Sequence, residues 1–156
     1  MEKKKLEISY IQCRFEELDP EMRALAEAAM KATENSYTPY SHFNVGAALL
    51  LEDGTTVTGC NQENIAYPSG LCAERTALFS AGAMYPDKAV TAIAVAAFHE
   101  GRFTEEPVTP CGACRQVLAE TESRYGKPVR VLLIGTEYCI LLEDGVRSLL
   151  PFSFSF

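Results

Sequence analysis

The sequence predicts an α/β fold, three layers (αβα) built on a mixed sheet of five strands, and three observations predict it. Val45-Gly46-Ala47-Ala48-Leu49-Leu50-Leu51 and Val90–Ala97 are continuous apolar runs, the mark of strands covered on both faces. Glu52-Asp53-Gly54 is a tight-turn signal that folds the first run back onto Thr55–Cys60, an antiparallel hairpin. Beyond the hairpin, helical and strand patterns alternate, which places helices on both sides of the sheet.

The elements follow in order. Residues 1–18 read as an N-terminal extension in which Leu6, Ile8 and Tyr10 alternate with polar neighbours, as a short edge strand would. A single domain then spans residues 19–156, an ordinary length for one core. Its first helix starts at Asp19-Pro20, an N-cap carboxylate followed by a proline whose missing N–H costs nothing in the first turn. Met22, Leu25, Ala26, Ala29, Met30 and Thr33 trace its buried stripe, and it stops before Thr38-Pro39, because the residue before a proline is driven out of helical geometry.

After the hairpin, residues 61–70 are loop-like, with Asn61, Asn64, Pro68, Ser69 and Gly70. A helix runs from about Cys72 to Ala83, packing through Ala73, Ala77, Leu78 and Ala81. Residues 98–109 form a longer polar loop after the Val90–Ala97 strand. Pro110 opens a helix over Cys111–Arg124; strands at Val129–Ile134 and Tyr138–Leu142 and a short turn at Ser148-Leu149-Leu150 finish the domain.

Charge narrows the function. With 14 Lys+Arg against 21 Asp+Glu the formal net charge is −7, and the cations are scattered apart from Lys3-Lys4-Lys5. Such a chain repels phosphate backbones, so nucleic acid is not an expected partner. No apolar stretch reaches the roughly 18 residues of a membrane span, and the N-terminus lacks the apolar core of an export signal. The expectation is a cytoplasmic protein whose six cysteines are reduced.

Two of those cysteines carry chemistry in their spacing. Pro110-Cys111-Gly112-Ala113-Cys114-Arg115 puts two thiols at positions i and i+3 of a helix N-terminus, on one face, where the helix dipole and free N–H groups favour thiolate. Alone, such a pair is equally a structural zinc half-site, a redox dithiol or a coincidence. Cys72-Ala73-Glu74-Arg75 supplies a third sulfur, also at a helix start. Three sulfur ligands leave a tetrahedral zinc with one open position for water. Glu74 points away from the Cys72 direction, about 200° round an ideal helix, and so suits a general base beside the ion better than a ligand. Arg75 lies at i+3 from Cys72 and Arg115 at i+4 from Cys111. Both are expected to turn guanidinium N–H groups toward sulfur and to withdraw part of the excess negative charge of three thiolates. Cys13, Cys60, Cys139, His42 and His99 stand at no ligand spacing and are read as core or surface residues.

The pattern Cys-Ala-Glu followed by Pro-Cys-x-x-Cys matches the zinc nucleobase deaminases. More closely, the chain resembles the small homotetrameric, zinc-dependent cytidine deaminases of pyrimidine salvage. The resemblance runs through Pro39-Tyr40-Ser41-His42-Phe43-Asn44-Val45-Gly46-Ala47, Gly59-Cys60-Asn61-Gln62-Glu63-Asn64, Cys72-Ala73-Glu74-Arg75-Thr76-Ala77 and Leu149-Leu150-Pro151. It spans roughly residues 20–155 in order, with residues 1–18 outside it and the 98–109 loop longer than usual. It implies a cytidine deaminase-like fold and one Zn2+ per chain, held by Cys72, Cys111 and Cys114, with Glu74 moving protons. It also implies Asn61 and Glu63 on the ribose, Phe43 on the pyrimidine, Tyr67 near a subunit interface and a homotetramer. Phe154, flanked by Phe152 and Phe156, matches an aromatic that reaches a neighbouring subunit's pocket. The implied reaction is hydrolytic deamination of cytidine and 2′-deoxycytidine. A polynucleotide deaminase lacks its basic groove here. The Asn61-x-Glu63 element favours a nucleoside over a cytosine-like antibiotic. A purely structural zinc module would supply a fourth protein ligand.

Overall fold

The structure, a computed structural model, describes residues 1–154. Among these residues three α-helices and seven strands are laid down in the order β1 (Ile11–Cys13), α1 (Pro20–Ala32), β2 (Asn44–Leu51), β3 (Thr56–Cys60), α2 (Ala73–Met84), β4 (Val90–His99), β5 (Arg102–Phe103), α3 (Gly112–Tyr125), β6 (Arg130–Ile134) and β7 (Cys139–Leu142). The sheet order is β1-β7-β6-β4-β2-β3, with β5 paired to β4. It is mixed: β4 and β6 are parallel and joined through α3, and the remaining pairs are antiparallel.

The period of two along the apolar runs divides the core. Ala47, Leu49, Leu51, Ile93, Val95, Val131 and Leu133 face α2 and α3, meeting Ala73, Ala77, Leu78, Ala81 and Leu118. Their alternates Ala48, Leu50, Ala92, Ala94, Ala96, Leu132 and Ile134 face α1, meeting Met22, Leu25, Ala26 and Ala29. Both faces of β2, β4 and β6 are therefore apolar, and the three-layer expectation holds. α1 begins as its sequence says: the Asp19 carboxylate accepts from the Met22 backbone N–H at 2.8 Å, and Pro20 opens the first turn.

Two strands exceed the expected five. β5 lies in the stretch read as loop, where Glu100 and Gly101 both take positive φ and turn β4 back on itself. That is the geometry of a two-residue hairpin, but the residues beyond it are too few to show a strand period. The edge strand is displaced as well. Leu6, Ile8 and Tyr10 alternate yet stay exposed, and the pairing falls on Ile11–Cys13 instead. β7 is four residues long, so only a short partner can pair with it.

One close approach matters for the site. A Cβ on Gly59 of β3 would stand 2.5 Å from the Ala77 backbone N and 2.7 Å from the Ala73 carbonyl O. The first turn of α2 therefore rests directly on the strand, which only glycine permits.

Candidate metal centre and active site

α2 and α3 both start at a cysteine. Cys72 and Cys111 are the N-cap residues, in extended conformation, and neither side chain caps its own helix. Cys114 sits one turn into α3 and is fully buried. The two helix starts, 39 residues apart in sequence, converge so that the sulfurs of Cys72 and Cys111 are 3.7 Å apart and those of Cys111 and Cys114 3.4 Å. All three lie within 4.8 Å of one another, and among the described residues no other set of His, Cys, Asp or Glu is gathered in this way.

These distances test the fit of a metal. Zn–S bonds of about 2.3 Å in tetrahedral geometry separate two sulfurs by roughly 3.8 Å. The three sulfurs are thus already spaced for one zinc ion, with the N-terminal ends of two helices turned toward the anionic ligands. The Arg75 guanidinium reaches Cys72 Sγ at 3.8 Å. The Cys72 thiol is lowered to about 5, chiefly by the hydrogen bond from Cys114, with burial opposing and Arg75 adding to the effect. Cys114, the donor, is pushed up in turn by that bond and by burial.

Glu74 is one of two buried polar side chains among the described residues, 4% exposed, and is not part of the sulfur cluster. Burial raises its carboxyl above the usual range and the negative charge of Cys72 adds to this, while a hydrogen bond from Cys114 and the charge of Arg75 oppose it. A desolvated carboxyl beside a metal cradle is suited to taking and returning a proton.

A cleft of about 510 Å³ opens beside Cys72 and Arg75, lined further by Tyr40, Ser41, Asn61, Glu63 and Tyr67. The Asn61 side chain holds the start of β2, accepting from Val45 N–H and donating to the Phe43 carbonyl, both at 2.8 Å. Glu63 accepts from the backbone N–H groups of Tyr40 at 2.9 Å and Ser41 at 3.3 Å. Its carboxyl is held below the usual range, foremost by a side-chain hydrogen bond from Ser41. Sequence carries no signal for the Tyr40 contact, since a main-chain donor is the same for every residue type.

One expected contact is made elsewhere. Arg115 does not turn to sulfur: Nε donates to the Pro110 carbonyl at 2.7 Å, Nη1 to the Leu149 carbonyl at 2.7 Å and Nη2 to Thr109 Oγ1 at 3.3 Å. Carbonyls at the preceding turn are nearer to its fork than the thiols, so it braces the ligand helix instead. The Phe43 ring packs against that of His99, 5.3 Å between centroids. Phe154 lies along α3, exposed, with its carbonyl accepting from Gln116 Nε2 at 3.0 Å. Phe152 is fully exposed, and Phe156 lies outside the described residues.

The model of the family described as "Cytidine and deoxycytidylate deaminase zinc-binding region" matches residues 20–126, which include all three sulfurs and Glu74. The chain belongs to this family. It is 52% identical over 135 residues to the cytidine deaminase of Sporosarcina psychrophila, covering 86% of this chain and 92% of that protein. The crystal structure of cytidine deaminase from Burkholderia pseudomallei superposes with a TM-score of 0.69 at 43% identity, over 84% of this chain and 97% of the other. That from Mycobacterium tuberculosis gives 0.65 at 34% identity, over 88% and 100%. The family region is a zinc-binding one, in agreement with the sulfur spacing, and this deaminase is a zinc enzyme. No helix of the described residues is long and apolar enough to cross a membrane.

Proposed function

We propose that this deaminase hydrolyses cytidine and 2′-deoxycytidine to uridine and 2′-deoxyuridine with release of ammonia, in pyrimidine salvage. The observation that carries the reading is the juxtaposition of a three-sulfur cradle with the buried carboxyl of Glu74, with a cleft lined by Cys72, Asn61 and Glu63 beside it.

Cys72, Cys111 and Cys114 hold the zinc ion, and Arg75 bonds to the Cys72 sulfur from outside. Bound there, zinc supplies Lewis-acid chemistry that makes water acidic near neutral pH. Glu74 takes a proton from the water that attacks C4 of the pyrimidine and hands it to N3. As the C4–N bond breaks, Glu74 delivers the second proton to the amino group, which leaves as ammonia. One water is consumed and the exocyclic nitrogen is replaced by oxygen. Asn61 and Glu63 orient the ribose; each still has hydrogen-bonding capacity beyond its backbone partners. Phe43 packs on the base.

The finer organisation belongs to the same proposal. Residues 19–156 act as one deaminase domain, with residues 1–18 as an extension that lends β1 to the sheet edge. The chain works as a cytoplasmic homotetramer with a small nucleoside as its substrate and no nucleic acid or membrane partner. Exposed Tyr37, Ile65, Tyr67, Phe79 and Met84 favour burial between copies. The C-terminal aromatic set around Phe154 contributes to a neighbouring copy's site.

The test is direct. Purified protein is assayed for zinc and for the ultraviolet change as cytidine becomes uridine, with light scattering for its size. One zinc per chain and cytidine turnover are expected. Stoichiometric zinc without turnover of either nucleoside overturns the substrate assignment; a monomer with full activity overturns the assembly.

A further inference from the structure

β4 continues past the residues that the helices cover, and its end returns through Glu100 and Gly101, at φ of 52° and 81°, into β5. Phe98 and Phe103 face each other across this hairpin, edge to face at 5.2 Å. On its other side β4 pairs with β2 so that Phe98 is opposite Asn44. His99 therefore projects beside the residues that precede β2.

It touches two of them. The His99 ring lies 5.3 Å from the Phe43 ring, centroid to centroid, tilted by 48°. Its Nδ1 lies 3.1 Å from the carbonyl oxygen of His42. A carbonyl can only accept, so Nδ1 carries the proton. His42 is itself in the left-handed region at φ 55°, an unusual place for a residue with a Cβ, and its N–H donates to the Thr38 carbonyl at 3.0 Å. The peptide leading into Phe43 is thus pinned from both ends, while Asn61 holds the Phe43 carbonyl that follows.

We infer that His99 is a positioning residue for substrate binding: from the β4–β5 hairpin it sets the place and tilt of the Phe43 ring against the pyrimidine. This rests on the role proposed above for Phe43. Stacking on the base acts in the ground state and the transition state alike, so its loss raises KM and spares kcat.

Six proteins test it with cytidine: the unaltered enzyme, Phe43→Ala, His99→Ala, the double variant, His99→Phe and His99→Asn, each with zinc content and melting temperature recorded. His99→Ala is expected to raise KM about five- to tenfold with kcat within about twofold, a scale set by one aromatic pair and one hydrogen bond. The double variant is expected to have the KM of Phe43→Ala, since His99 acts through that ring. His99→Phe keeps the ring contact and His99→Asn keeps the donor, so each recovers part of the loss. A raised KM in Phe43→Ala with an unaltered KM in His99→Ala overturns the inference. Penalties that multiply in the double variant also overturn it. An unaltered KM in Phe43→Ala shows instead that the Phe43 reading is at fault. Should His99→Ala lose zinc or melt early, the Phe and Asn variants decide, and native KM in both is the contrary result.

Discussion

Arg115 Nη1 donates to the carbonyl of Leu149 at 2.7 Å, tying the helix that carries Cys111 and Cys114 to the C-terminal segment that carries Phe154. The same guanidinium holds the Pro110 carbonyl just before the first of those cysteines. Arg75, one helix away, bonds to sulfur instead.

The two arginines should therefore fail differently. Arg115→Ala is expected to cost about 2 kcal/mol of stability, the scale of charge-assisted bonds to carbonyls, with Arg115→Lys recovering little because it lacks the fork. Its pH–rate profile should keep its shape. Arg75→Gln removes charge from beside the ligand sulfur and is expected to displace that profile or lower kcat, with the melting temperature little altered. Denaturant titration and pH–rate curves on both variants check the pair; identical profiles for Arg75→Gln and the unaltered enzyme contradict the second half.

Glu74→Gln preserves the volume of the buried side chain and removes its ability to carry protons. Zinc content is expected to be retained while kcat falls about 100- to 10,000-fold, the usual worth of a general acid–base group. Metal analysis beside single-turnover kinetics separates the outcomes: loss of zinc would assign Glu74 a structural role.

Gly59→Ala introduces a methyl where 2.5 Å separates its position from the Ala77 backbone, so α2 must move off β3. Overpacking of this kind costs about 1–3 kcal/mol. Since Cys72 and Glu74 ride on the first turn of α2, lower zinc affinity and lower kcat should accompany the lower melting temperature. A chelator competition assay reads the first of these.

Asp53 contributes an acid-sensitive surface contact. Its carboxyl is lowered from 3.8 to about 2, mainly by the side-chain hydrogen bond from Lys88, with Thr55 adding further bonds. A folded-state value below the unfolded one means the contribution is complete above about pH 4 and is lost as pH falls toward 2. Asp53→Asn should melt slightly below the unaltered protein at pH 7, and the two should converge near pH 2. A gap that persists there contradicts the assignment; the effect is small because both groups are on the surface.

Much of this is legible in the sequence. Apolar runs at Val45–Leu51 and Val90–Ala97 have both faces apolar because helices cover both, and that two-sidedness is written in composition. Asp19-Pro20 specifies a helix start from local chemistry alone. Edge pairing is less legible: β1 and β5 are two- or three-residue strands whose existence depends on an unpaired neighbour and not on their own pattern.

The sequence by itself determined the residue types and the short-range geometry: Cys111 and Cys114 share a helical face at i and i+3, and Glu74 lies off the Cys72 direction, because helical periodicity acts over a few residues. Tertiary structure alone decided that Cys72 comes to 3.7 Å from Cys111, since that depends on two helices meeting across strands far apart in the chain. It likewise sent the Arg115 fork to carbonyls rather than sulfur and set His99 against Phe43. Each of these is a choice among competing partners at similar distances, and only the packed backbone ranks them.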